Sequence, residues 1–186
     1  MREIDLVIFR WINNWPESLN WLMMFFSQGN KWWWVRLSLL ALLIYWIYRP
    51  KTRAPAILAM AAWPVANAVC DVLKATFQMT RPLADLAELN ARLELTSFGT
   101  ASAHAATMMS IAMVFLFYHR ALGWTWFGVA ILVGLSRIFV GVHYPYQVLL
   151  GWGVGAFVGF VAVKSWQTYV NRRRPSRADE SPAADQ

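Results

Sequence analysis

The sequence has a single cysteine, Cys70, and only ten acidic residues among 186. One cysteine excludes an intramolecular disulfide and leaves no cysteine cluster for zinc. The sparse carboxylates form no metal-binding pattern beside the polar motifs described below, so no metal or other cofactor is expected. No cleavable leader is expected, since Met1–Asp5 is charged and no short apolar core with a small-residue cleavage site follows. Charged residues make up 15% of the chain, against 58% hydrophobic ones. A soluble domain of this length seldom carries so much apolar surface, and an integral membrane protein is expected. The formal net charge is +7. In a soluble protein that excess would suggest a nucleic-acid partner. Here the positive residues sit at the ends of apolar runs, as membrane topology requires, so the expected partner is the bilayer and not nucleic acid.

What is present is a series of apolar runs, each near the roughly 20 residues that a span needs. They lie at about 32–48, 54–77, 102–118, 121–142 and 146–166. The second holds Pro64, Asn67 and Asp71, which predicts that it packs inside a bundle, with Asp71 hydrogen-bonded there. In the fifth, Gly151 and Gly155 form a GxxxG pair that permits close helix approach. Residues 1–30 alternate apolar and polar positions at roughly helical spacing. With Arg10, Asn13, Asn14, Pro16 and Glu17 among them, they predict two short helices lying in the interface or packed on the bundle, with an irregular sixth span as the alternative. The fold expected is all-α, a bundle of five or six transmembrane helices in one domain over 1–170, followed by a basic and then disordered tail over 171–186. Trp32–Trp34 read as an interfacial belt.

Arg49, Lys51 and Arg53 follow the first span, Arg120 with His119 separates the third from the fourth, and Arg172, Arg173, Arg174 and Arg177 follow the fifth. Alternating spans bring these clusters to one side, which predicts a cytoplasmic C-terminus. The opposite, external side then receives three polar motifs. Lys74 and Arg81, seven apart in "KATFQMTRP", would share one helix face, and Pro82 would discourage further helix. "TASAHAAT" starts a span with Ser102 and His104, where free amides favour an anion. "SRIFVGVHYPYQ" sets Arg137 inside an apolar run, His143 at its end, and Gln147 within one helical turn of His143, while Pro145 suits a helix start. Three fixed cations, two histidines and several N–H donors suit phosphoryl transfer, which depends on positioning and charge stabilisation.

The motifs resemble those of the type 2 phosphatidic acid phosphatase (PAP2) superfamily, which reads K-x6-R-P, then P-S-G-H, then S-R-x5-H-x3-D. The chain supplies Lys74-x6-Arg81-Pro82, Ala101-Ser102-Ala103-His104 and Ser136-Arg137-x5-His143-x3-Gln147. Its small size and N-terminal helices look like the bacterial undecaprenyl-diphosphate phosphatases of this family. The resemblance implies a metal-independent lipid phosphatase of the bacterial inner membrane, acting on the external face. His143 would form a phosphohistidine, and His104 would protonate the leaving group and later activate water. Lys74, Arg81, Ser102, Ala103 and Arg137 would hold the phosphate. Undecaprenyl diphosphate is the expected substrate, with phosphatidylglycerol phosphate, phosphatidic acid and lipid A phosphates as rivals. Ala101 departs from Pro, Ala103 from Gly and Gln147 from Asp. A glutamine carbonyl can still accept from Nδ1 of His143, leaving Nε2 free, so Gln147 is kept as a catalytic residue. A phosphotransferase and an inactive lipid-binding homologue stay open beside the phosphatase. The oligomeric state is not legible.

Overall fold

The protein is described by a computed structural model that covers residues 2–86, 89–93 and 98–173. The fold is all-α. Its helices are α1 (Arg2–Asn13), α2 (Asn20–Gln28), α3 (Trp33–Tyr48), α4 (Pro50–Phe77), α5 (Pro82–Asp85), α6 (Ala103–Tyr118), α7 (Arg120–Phe139) and α8 (Pro145–Arg173). Single 3-10 turns at Glu17–Leu19 and Gly29–Lys31 lead into α2 and α3. The expected tail beyond Arg173, with Arg174 and Arg177, lies outside the described residues.

The sequence "AHAATMMSIAMVFLFY" of α6 is apolar all round, and such a helix belongs at a centre. α6 indeed packs against α4, α7 and α8. Against α8 the approach is very close. A Cβ added at Gly151 would lie 2.5 Å from the Ser102 carbonyl oxygen, at Gly155 2.1 Å from that of Ala106, and at Gly159 2.7 Å from that of Ser110. The glycine pair read from the sequence is thus part of a three-glycine stripe that seats α8 on one row of α6 carbonyls. α4 meets α6 through a stripe of small residues, Ala59, Ala62, Ala66 and Cys70, at helical spacing.

The second span differs from expectation. Pro64 is exposed and the Asp71 side chain is 65% exposed, so the polar residues do not mark an enclosed helix. The small side chains carry the packing face, while Ile57, Trp63, Val65 and Val72 point outward. In a bilayer that apolar surface meets lipid.

α4 together with α5 (Pro50–Asp85), α7 and α8 are long and apolar enough to cross a membrane. α3 and α6, at 16 residues each, reach roughly 24 Å at 1.5 Å per residue, a little short of the ~30 Å hydrocarbon core. The α3–α4 turn is tight because Arg49 is extended before Pro50 at the first helical position. The last carbonyls of α3 are then satisfied by the next helix: Thr52 Oγ1 donates to Trp46 O at 2.9 Å and Arg53 Nε to Ile47 O at 2.9 Å. His119 contacts Lys51 O at 2.7 Å through Nε2. These contacts place the start of α4 beside the α6–α7 junction, at the basic end of the bundle.

Residues 2–30 carry two short helices packed on α7. Phe9 and Ile12 of α1 enter the core with Ile138, Phe139 and Tyr144, while Ile4, Val7 and Trp11 stay exposed. Asn13 Nδ2 donates to Phe139 O at 2.9 Å, satisfying a terminal carbonyl of α7.

Candidate active site

The end of the bundle opposite the basic one gathers the C-terminal ends of α4 and α7 with the N-terminal ends of α6 and α8. Direct bonds tie them. Ser102 N donates to Gln147 O at 3.0 Å, Gly99 N to Met79 O at 2.8 Å, and Arg81 Nη1 to Val142 O at 2.9 Å.

Lys74 and Arg81 do not share a helix face, contrary to the spacing argument. α4 ends at Phe77 because Gln78 takes a left-handed conformation, with φ 45°, and its N–H closes on Lys74 O. Arg81 follows in extended backbone, as the residue before a proline prefers. Pro82 then opens the short helix α5 instead of barring one. Freed from the helix, the Arg81 side chain turns inward and is buried. Its Nη2 donates to Phe98 O at 3.2 Å. Gly99 permits that loop to lie so close, since a Cβ there would be 2.7 Å from Arg81 Cγ and 3.0 Å from Gln147 Oε1.

His143 lies in the junction between α7 and α8 and is 3% exposed. Its Nδ1 is 3.0 Å from Gln147 Oε1, and its Nε2 is 3.4 Å from Arg81 Nη1. The Gln147 amide fixes which way these groups point. Its Nε2 donates to Thr80 O at 2.9 Å and to the Tyr146 hydroxyl at 3.0 Å, so its oxygen faces His143. Tyr144 N also donates to that oxygen, at 3.2 Å. A carbonyl only accepts, so the Nδ1 of His143 carries the proton and Nε2 presents its lone pair toward Arg81. Burial holds the imidazole well below the ordinary histidine pKa. The charges of Arg81 and Arg137 act in the same direction, and the Gln147 bond opposes them in part.

Arg137 is 3% exposed. Its Nη1 donates to Ser27 Oγ at 2.6 Å and Ser27 O at 3.2 Å, and its buried Nε has no hydrogen-bond partner among the described residues. Lys74 Nζ meets Asp71 Oδ1 at 3.0 Å. Asp71 therefore holds the lysine instead of bonding within the bundle. Ser102 caps α6, its Oγ accepting from Ala105 N at 3.5 Å. Because Ser102 N is bonded to Gln147, the site amides available for an anion begin at Ala103 and not at Ser102. His104 follows in the first turn of α6, half-buried, and the charges of Arg137, Lys74, Lys31 and Arg81 all bear on it.

One contributor is not legible in the sequence: Ser27 lies in the stretch read as peripheral, and only the fold brings it to Arg137, 110 positions away. The tyrosine and threonine that hold the Gln147 amide carry no motif of their own.

The fold is that of an all-α integral membrane protein, and at one end of its bundle a buried histidine is held between a glutamine and an arginine. The chain belongs to the PAP2 superfamily, whose family model matches residues 54–172. It is 31% identical to a protein named bacitracin transport permease protein BcrC from Bacillus licheniformis, over 80% of this chain and 74% of that one. It is 30% identical to an undecaprenyl-diphosphatase of Sulfolobus acidocaldarius, over 86% of this chain and 77% of the relative. The crystal structure of Aquifex aeolicus LpxE superposes with a TM-score of 0.69 at 30% identity, covering 86% of this chain and 94% of that one.

Proposed function

We propose that this PAP2-type membrane phosphatase hydrolyses undecaprenyl diphosphate to undecaprenyl phosphate and inorganic phosphate. In this reading, Nε2 of His143 attacks the terminal phosphorus while the bond from phosphorus to the bridging oxygen breaks. His104 gives its proton to the departing lipid phosphate. Water, deprotonated by His104, then cleaves the phosphohistidine and releases phosphate. Arg81, Arg137, Lys74 and the amides of Ala103 and His104 hold the equatorial oxygens, whose charge they offset in a water-poor site. Ser102 fixes the turn that presents those amides. The pocket faces the outside of a bacterial inner membrane, the C-terminus lies in the cytoplasm, and residues 1–170 act as one domain.

The observation that carries the reading is the His143 imidazole held at Nδ1 by Gln147, with Nε2 turned to a buried arginine. That geometry supports a nucleophile whose partner is an anion. The choice of lipid is supported by the relative named undecaprenyl-diphosphatase. The outward apolar surface of α4 suits a substrate whose tail stays in the bilayer.

The test is phosphate release from undecaprenyl diphosphate by purified protein, with a metal chelator present. Release is expected from the wild type and a loss of at least a thousandfold from His143→Ala. Equal release by the variant would remove His143 from the mechanism. A phosphorylated acceptor lipid in place of free phosphate would make the protein a transferase.

A further inference from the structure

The reaction above uses three cations, and a fourth follows one helical turn after the serine that is bonded to one of them. Lys31 closes the turn between α2 and α3 and is exposed. Among the described residues it has no hydrogen-bonding or ionic partner.

Its position is not that of a loose surface lysine. Four residues earlier, Ser27 is bonded through both its hydroxyl and its carbonyl to Arg137, one of the pocket's cations. That clamp fixes the end of α2 against the pocket. From the other side, Arg36 Nε donates to Asn30 O at 2.7 Å, holding the turn against the first coil of α3. Trp32 and Trp34 stack at 5.5 Å, and Phe25 packs on both at 5.8 and 6.1 Å. The lysine is therefore carried on a short turn braced at both ends. With Trp32, Trp33 and Trp34 it lines an open hollow of about 460 Å³. Its charge also reaches His104, the residue that would face the leaving group.

A diphosphate lipid carries two charged groups. The terminal one must lie at His143, among Arg81 and Arg137. The other joins it to the chain and becomes the leaving group, so it lies toward His104 and toward the lipid. It gains charge as the bond breaks, and a cation there stabilises that change. Indole rings around such a cation suit the height in a bilayer where headgroup meets acyl chain. We propose that Lys31 binds the chain-proximal phosphate of a diphosphate substrate, so that the α2–α3 turn selects diphosphates over monophosphates. This inference rests on the phosphatase reading given above.

The test is steady-state kinetics of the full-length protein on undecaprenyl diphosphate, with two competing anions. Inorganic phosphate probes the His143 subsite alone, and methylenediphosphonate, which resists hydrolysis, spans both. For Lys31→Gln, the KM for the diphosphate lipid and the Ki for methylenediphosphonate should each rise about tenfold, the size expected for one charge-assisted contact. The Ki for phosphate should move less than threefold, and Lys31→Arg should recover most of the loss. Equal shifts for both anions would reduce Lys31 to a general field effect and overturn the assignment, as would no shift for either. Wild-type protein that releases no phosphate from the lipid would instead overturn the phosphatase reading itself, and this inference with it.

Discussion

At the scale of single residues, the departure at Gln147 gives the clearest view of how the site is built. An aspartate stands here in the family pattern, and the sequence shows only that an amide has replaced a carboxylate. The structure adds that the amide uses both ends. Its oxygen receives His143 Nδ1 and Tyr144 N, and its nitrogen donates to Thr80 O and the Tyr146 hydroxyl. Gln147→Glu keeps the length and the shape but turns the donor nitrogen into a second acceptor. A carboxylate oxygen would then face the Thr80 carbonyl oxygen, acceptor against acceptor, in place of the bond that the amide makes there, and a lost contact of this kind costs about 1–3 kcal/mol. The added negative charge beside His143 favours the imidazolium, which cannot attack. The variant is therefore expected to lose at least about tenfold in kcat, measured as phosphate release, while remaining folded. Turnover equal to or above wild type would show that the Thr80 contact does not matter and that charge on the ring limits the reaction.

At the scale of elements, the sequence is legible where local rules decide and opaque where distance does. The helix start near Ser102 and the proline start of α8 are legible, because helix-terminal and proline geometry are local, whereas the cap made by Ser102 itself is seen only in the structure. The spacing of Lys74 and Arg81 misled, since one left-handed residue at Gln78 ends the helix between them. Nothing in "KATFQMTRP" announces that break, because glycine and not glutamine is the usual residue for that conformation. The hold of Ser27 on Arg137 spans 110 positions and has no local signal at all. The α6–α8 seam lies between these cases: its glycines were visible, but their partner was not. Gly155→Ala places a methyl group 2.1 Å from the Ala106 carbonyl, so α8 must move off α6 just below the capped turn that carries His104. Overpacking of this kind costs about 1–3 kcal/mol, and the thermal midpoint in detergent should fall by several degrees. Gly153 is the control on the same helix. A Cβ there meets nothing within 4 Å, so Gly153→Ala should leave the midpoint unchanged or raise it slightly. Equal losses at both positions would mean that helix propensity, and not the seam, sets the effect.

At the scale of the whole molecule, the two ends of the bundle differ in what their charges do. At one end Arg49, Lys51, Arg53, Arg120, Arg172 and Arg173 are spread over connections and helix ends, and Arg49 and Arg173 lie over the rings of Tyr45 and Tyr169. At the other end Arg81 and Arg137 are buried and bonded inward. Exposed cations of the first kind orient a chain in its membrane, whereas buried ones are retained for what they bind. The proposed orientation, with the dispersed end in the cytoplasm and the pocket outside, follows from that contrast and is open to test. Single cysteines can read this directly, because the native Cys70 is fully buried in the α4–α6 seam. Ala91→Cys lies on the exposed loop at the pocket end, and Arg172→Cys lies in the last turn of α8 at the other. In right-side-out vesicles an impermeant maleimide should label Ala91→Cys at once and Arg172→Cys only after the membrane is opened. The opposite pattern would invert the protein and place the site on the cytoplasmic side, overturning the orientation argued from the two kinds of cation.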